Sequence, residues 1–275
     1  NLLSLYIPSN PFYSLANNIV PAVVVFSIAV GLALIGIDNK EGLINHLTVL
    51  NAAIVRITEF VVNLAPYGVF AIMASAAGTM SVEEVGRLQV YFITYIAFWS
   101  ILTFWMLPGL VTSLTPLSYG DVIWRTKDAL VTAFATGNFL IILPVLASRS
   151  KEIIQKYNLN EKESNAALDI IIPTSYTFPS AGKVFSLAFI LFAAWLSEIT
   201  IPISQLPSFL VTGLFSFFGS TMVAVPFLLD LFRIPADLMQ LFIISDAILS
   251  RFSVTVGAVQ TLVLALLGTF AISDA

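Results

Sequence analysis

The sequence predicts an all-α polytopic membrane protein with two re-entrant helical hairpins and an inverted-topology repeat. Three observations lead there. The chain is 58% hydrophobic and only 10% charged, with a mean hydropathy of +0.95, more apolar than any soluble core requires. Long charge-free runs recur, at 1–37, 60–82, 88–120, 129–148, 199–229 and 252–273, several of them longer than the roughly 20 residues a helix needs to cross the hydrocarbon layer. Half of the twelve basic residues crowd into 125–162, on both sides of one apolar run. A formal net charge of −4 and the lack of a basic face argue against nucleic acid as a partner. Absence of cysteine excludes disulfides and thiolate metal sites. No metal-ligand cluster, nucleophile elbow or phosphate loop points to an enzyme, so no catalytic or metal residue and no cofactor is expected. The chain begins at Asn1 without a signal-peptide n-region and reads as a fragment of a longer polypeptide.

Taken in order, three hydrophobic helices are expected at about 14–37, 43–78 and 84–114, joined by short connections at 39–42, 79–84 and 115–120. The run 129–148 then lies between Arg125 and Lys127 on one side and Arg149, Lys151, Lys156 and Lys162 on the other. Basic loops stay cytoplasmic, so both ends face one side and the segment enters and returns as a hairpin, 118–156. Gly137-Asn138 supplies its turn. Such a tip must be buried in protein or line a cavity, because lipid cannot satisfy its backbone.

The next span, 163–198, holds the most informative residue. Lys183 is the only charge between Asp169 and Glu198, near mid-membrane, where it costs roughly 2.5–3.5 kcal/mol unless partnered, hydrated or functional. Pro179, Ser180, Ala181 and Gly182 directly before it interrupt the helix, because proline lacks an N–H and glycine is a weak helix former. A charge beside a broken helix marks binding sites in transporters. A second broken run turns at Ser216-Phe217-Phe218-Gly219-Ser220 and forms a hairpin, 199–233, from the opposite face. The last helix, 235–272, crosses back. On it Asp246, Ser250, Ser253, Gly257 and Thr261 fall at spacings that stack them on one face. Small residues such as Gly257 also serve close helix packing. Arg251, one position off the stripe, is either a second cation of the site or the partner of a buried carboxylate. His46, the sole histidine, is read as a loop-end residue.

Several motifs resemble the dicarboxylate/amino acid:cation symporter family, which includes the glutamate transporter homologues. Ile7-Pro8-Ser9-Asn10-Pro11-Phe12 is similar to that family's Ile-Pro-Thr-Asn-Pro-Phe, and Ala65-Pro66-Tyr67-Gly68-Val69-Phe70-Ala71 to its Ala-Pro-Ile-Gly-Val-Phe-Ala. Lys127-Asp128-Ala129-Leu130-Val131-Thr132-Ala133-Phe134 resembles the entry to the family's first hairpin, and Asp246-Ala247-Ile248-Leu249 the start of its last helix. The departures fall on the chemistry. The serine-rich first tip becomes Gly137, Asn138 and Phe139 onward, and the Gly-Val-Pro-Gly second tip becomes Ser216-Phe217-Phe218-Gly219. The sodium-binding Asn-Met-Asp-Gly-Thr becomes Pro179-Ser180-Ala181-Gly182-Lys183. Ser250, Ser253, Gly257 and Thr261 stand where the family has aspartate, arginine, asparagine and aspartate.

The resemblance implies a divergent member that lacks the first transmembrane helices. Residues 1–115 would be scaffold and linking helices and 116–275 the transport domain. The function it implies is elevator-type secondary transport of a small polar or anionic solute, such as a dicarboxylate or amino acid. Sodium coupling would be altered or absent, with the cation left open between sodium and proton. The alternative is a sensor or receptor module that keeps the fold without turnover. Expected solute-binding residues are Gly137, Asn138, Phe139, Phe218, Gly219, Ser250, Arg251, Ser253, Gly257 and Thr261. Pro179, Ser180, Ala181, Gly182, Lys183 and Asp246 form the expected ion or charge site, with Lys183 a tethered cation and Asp246 its carboxylate partner. Implied partners are the solute, the lipid bilayer and two further copies in a homotrimer held by scaffold helices, in the inner (plasma) membrane.

Overall fold

A computed structural model of the chain describes residues 6–79, 82–157, 159 and 161–273, and the described residues are helical with short connections. A short helix α1 (Pro11–Ala16) precedes α2 (Val20–Ile35). The expected single helix from 14 is thus divided. Asn17 ends α1, and Asn18 takes a left-handed φ of 55°, a conformation asparagine tolerates better than most residues. Helix α3 (Glu41–Thr79) follows, with His46 inside it rather than at a loop end, its Nδ1 2.6 Å from the Gly42 carbonyl. The connection expected at 79–84 is only partly described, since Met80 and Ser81 lie outside the described residues.

Helix α4 (Val82–Ile101) runs through a π-helical turn, Leu102–Met106, into α5 (Leu107–Leu114). Within the turn the Leu107 amide bonds to the Leu102 carbonyl. Pro108, which has no amide hydrogen to offer, sits at the start of α5 just beyond this widened register.

Helices α6 (Tyr119–Thr136) and α7 (Phe139–Lys156) form the first hairpin. Gly137 closes α6 at φ 60°, its amide bonded to Ala133, and the Asn138 side chain caps α7 by accepting from the Leu140 amide at 3.0 Å. The two outer ends meet. Asp121 accepts from Lys156, from the Tyr157 hydroxyl at 2.9 Å and from the Ser118 hydroxyl at 2.9 Å. Deeper along the pair, Arg149 bridges Asp128 at 2.8 Å and Glu152 at 2.8 Å.

The broken span comprises α8 (Glu161–Thr177), a non-helical break at 178–180, a single turn α9 (Ala181–Val184) and α10 (Ser186–Leu196). The second hairpin is α11 (Leu206–Ser216) and α12 (Thr221–Leu231), turning where the sequence places it. Rings of Phe209 and Phe232, 5.2 Å apart, hold its outer ends together. The last helix, α13 (Met239–Ser273), packs against α5 through α9.

Three described stretches are long and apolar enough to cross a membrane: Gly86–Leu114, Glu163–Leu196 and Ala236–Ile272. Two cores divide the last helix between them. Its first half joins α10 and the second hairpin around Phe189, Phe209, Phe217, Leu228 and Phe242. Its second half joins the first hairpin around Ala133, Ile142, Leu146, Val259 and Leu262. The middle of α13, between these cores, is where polar residues gather.

Candidate solute site between the hairpin tips

A cavity of about 200 Å³ lies beside the middle of α13, and each of the four broken or terminal elements contributes to it. Phe139 comes from the start of α7, Ser180 and Lys183 from the break in the span, Thr221 from the start of α12, and Asp246, Ser250 and Ser253 from α13. Three helices therefore begin at one place. Each has a side-chain cap: Asn138 for α7, Ser180 for α9, where it accepts from the Lys183 amide at 3.3 Å, and Ser220 for α12, where it accepts from the Met222 amide at 3.3 Å. Positive ends of the longer helices α7 and α12 consequently point toward the same space.

Close backbone contact makes this arrangement specific. A β-carbon on Gly182 would lie 2.0 Å from the Ser253 carbonyl oxygen, and one on Gly257 would lie 3.0 Å from the Phe139 ring and 3.3 Å from Ser180 Cβ. The break and the last helix thus touch closely at two positions, Gly182, where a β-carbon would run into backbone, and Gly257, where it would press on side chains. Gln260, which the sequence reading did not single out, holds the same junction by accepting the Ala181 amide. Its signal was available: an amide side chain beside Thr261 in the mostly apolar second half of the helix.

Lys183 and Asp246 share the cavity wall, yet no ion pair joins them. The expected pairing is replaced by a long contact, 3.5 Å, from the ammonium to the Gly219 carbonyl at the tip of the second hairpin. That carbonyl lies in the turn between α11 and α12, outside both helices, and so is free to accept. Arg251 also takes a course of its own. It is exposed, outside the cavity wall, and its guanidinium donates to the carbonyls of Phe134, at 3.3 Å, and Ala135, capping the carboxyl end of α6.

The other expected residues fall around the cavity rather than on it. Gly137 and Asn138 make the first turn, and Pro179 and Ser180 lie in the break, whereas Ala181 and Gly182, expected to interrupt the helix, already belong to the turn α9 that restarts it. Phe218 meets Phe178 edge-on with centroids 5.7 Å apart, whereas its neighbour Phe217 is fully buried in the core. Gly257 and Thr261 are buried beyond the cavity. Residues missed from sequence supply the aromatic wall: Tyr176, stacked on Phe139 at 5.5 Å, and Phe178. Behind α13, Tyr95 from α4 faces Ser253 and Asp246. Among the described residues no cluster of metal-ligating side chains occurs.

Comparison with known proteins places residues 1–268 in register with a family model described as the sodium:dicarboxylate symporter family. The chain is 28% identical over 207 residues to a proton/sodium-glutamate symport protein of Geobacillus stearothermophilus, covering 74% of this chain and 47% of that protein. It is 24% identical to a C4-dicarboxylate transport protein of Azorhizobium caulinodans, covering 78% and 46%. Identity to an L-cystine uptake protein of Shouchella clausii is 26%, covering 54% and 33%. The chain spans about half the length, or less, of these curated relatives.

Proposed function

Since the chain belongs to the sodium:dicarboxylate symporter family, a family of integral membrane transporters rather than enzymes, we propose that it is the transport region of a cation-coupled secondary transporter. Its solute is a small polar or anionic molecule, of the kind a dicarboxylate or amino acid represents, and it occupies the cavity between the hairpin tips. The observation that carries this reading is the convergence of three helix starts, one ammonium and one carboxylate on a single cavity in an otherwise apolar protein. Irregular backbone at membrane depth is tolerated where it lines such a space.

Both hairpins are re-entrant in this reading and enter from opposite faces, giving the inverted repeat 116–275. Basic residues flank the first hairpin, and the contact between its ends at Asp121 and Lys156 supports placing both ends on one side. The repeat moves as an elevator against scaffold helices within 1–115, which also make the homotrimer, in the inner membrane. Sodium coupling is altered. Ala181 replaces a carboxylate of the related pattern, and the Lys183 ammonium, bound to the Gly219 carbonyl, ties the second tip to the broken helix as a fixed cation.

Uptake into proteoliposomes made from the full polypeptide tests the reading. Radiolabelled succinate and an amino acid panel, driven by sodium or proton gradients, should include a solute that accumulates, with choline substituting for sodium without loss. Strict sodium dependence would remove the fixed-cation role of Lys183. Saturable binding with no uptake under any gradient would turn the protein into a sensor that keeps the transporter fold.

A further inference from the structure

We infer that the cavity selects a zwitterionic amino acid with an uncharged side chain, its carboxylate on Lys183 and its ammonium on Asp246. This rests on the reading of the cavity as the solute site and specifies the solute's chemistry. Two opposite charges line one wall and are not paired with each other. Each is half-buried, at a depth where a charge without a charged partner is costly. A ligand that carries one charge of each sign satisfies both at once.

Counting charges excludes the commoner alternatives. A dicarboxylate brings two negative charges and an acidic amino acid brings two with one positive, so either needs a second cation. Lys183 is the sole cation on the cavity wall among the described residues. Arg251, the nearest candidate on α13, is spent on the carbonyls of Phe134 and Ala135. A dianion would also bring its second negative charge toward Asp246, with no second side-chain cation on the wall to offset it. The rest of the wall has little use for a charged side chain. Phe139, Tyr176 and Phe178 present rings, and Ser250 and Ser253 offer hydroxyls, a lining suited to an apolar or hydroxylated side chain.

Calorimetric titration of the purified full-length protein with L-alanine, L-serine, L-valine, L-phenylalanine, L-glutamate and succinate reads the selection directly. One of the first four should bind more tightly than L-glutamate or succinate. For L-valine, the analogues isobutylamine, without the carboxylate, and 2-hydroxy-3-methylbutyrate, without the amine, should each lose roughly ten- to a hundredfold in affinity. Asp246→Asn should erase the advantage of L-valine over the hydroxy acid, and Lys183→Met its advantage over the amine, each leaving the other comparison in place. Tightest binding by succinate or L-glutamate, equal binding of L-valine and both analogues, or no binding by any neutral amino acid would overturn the inference. The analogue series uses the unaltered protein, so it decides even if a variant fails to fold. Uptake of succinate alone would sink the zwitterion and leave the transporter reading intact; binding of neutral amino acids without uptake would do the reverse.

Discussion

Asp121 illustrates how one side chain closes a hairpin. The Lys156 ammonium, with help from the Tyr157 and Ser118 hydroxyls, holds its carboxyl at about 2, below the ordinary value of about 3.9. A depressed folded value means the contribution is complete above the unfolded value and is lost as pH falls toward the folded one. Thermal melts of the detergent-purified protein between pH 4 and pH 2 should therefore show a steeper fall in Tm for the wild type than for Asp121→Asn. Glycine 182 acts by absence. A β-carbon there meets the Ser253 backbone, which cannot move aside like a flexible side chain, so Gly182→Ala should destabilise by about 1–3 kcal/mol. Gly31→Ala, on an open helix surface, should leave Tm unchanged or slightly raised. Equal melts for the two alanine variants would contradict the close junction.

At the scale of elements, the first hairpin depends on how α6 ends. Its last carbonyls receive Arg251 from α13, which links the tip of one hairpin to the last helix. Arg251→Gln removes the cation from the carboxyl end of α6 and should cost about 1 kcal/mol in a melt, salt-screened because the side chain is exposed. The fold expects no loss of charge balance in the cavity from this change, so solute affinity should hold. The hairpin's placement has its own check. Single cysteines at Lys127 and Lys151 should label with an impermeant maleimide from one and the same face of the membrane. Labelling from opposite faces would make 118–156 a simple crossing and remove the inverted repeat.

Across the whole molecule, apolar surface is left uncovered on the helices that precede the first hairpin. Along α3 Val49, Ile57, Phe60, Tyr67 and Phe70 are all exposed, at 65–76% of their full area, and α2 presents Leu32 and Ile35 in the same way. A soluble monomer rarely exposes so much. Lipid is the natural cover, with neighbouring subunits in the proposed trimer, for which light scattering of the detergent-solubilised full polypeptide should give three times the protomer mass. A mass of one protomer would leave lipid as the only cover and remove the trimer.

The sequence by itself determined the spans, the breaks and the turns, because each has a local cause. Hydropathy sets which runs are apolar enough to span a membrane, the missing amide of Pro179 stops a helix where it stands, and Gly137-Asn138 and Phe217–Ser220 turn the hairpins within a residue of where they were read. It also brought Lys183, Ser180, Asp246, Ser250 and Ser253 to one cavity, since a stripe of polar residues on an apolar helix has few other places to face. Tertiary structure alone decided the partnerships. Lys183 reaches the Gly219 carbonyl, 36 residues away, and Arg251 reaches the end of α6, more than a hundred residues away; neither separation leaves a periodic trace. Tyr176 and Phe178 looked like ordinary span residues, and only the fold around the break at 178–180 places them on the cavity wall. Helical period fixes the face a side chain occupies, but its neighbour across the gap depends on how closely two backbones approach, and here that distance is set by Gly182 and Gly257.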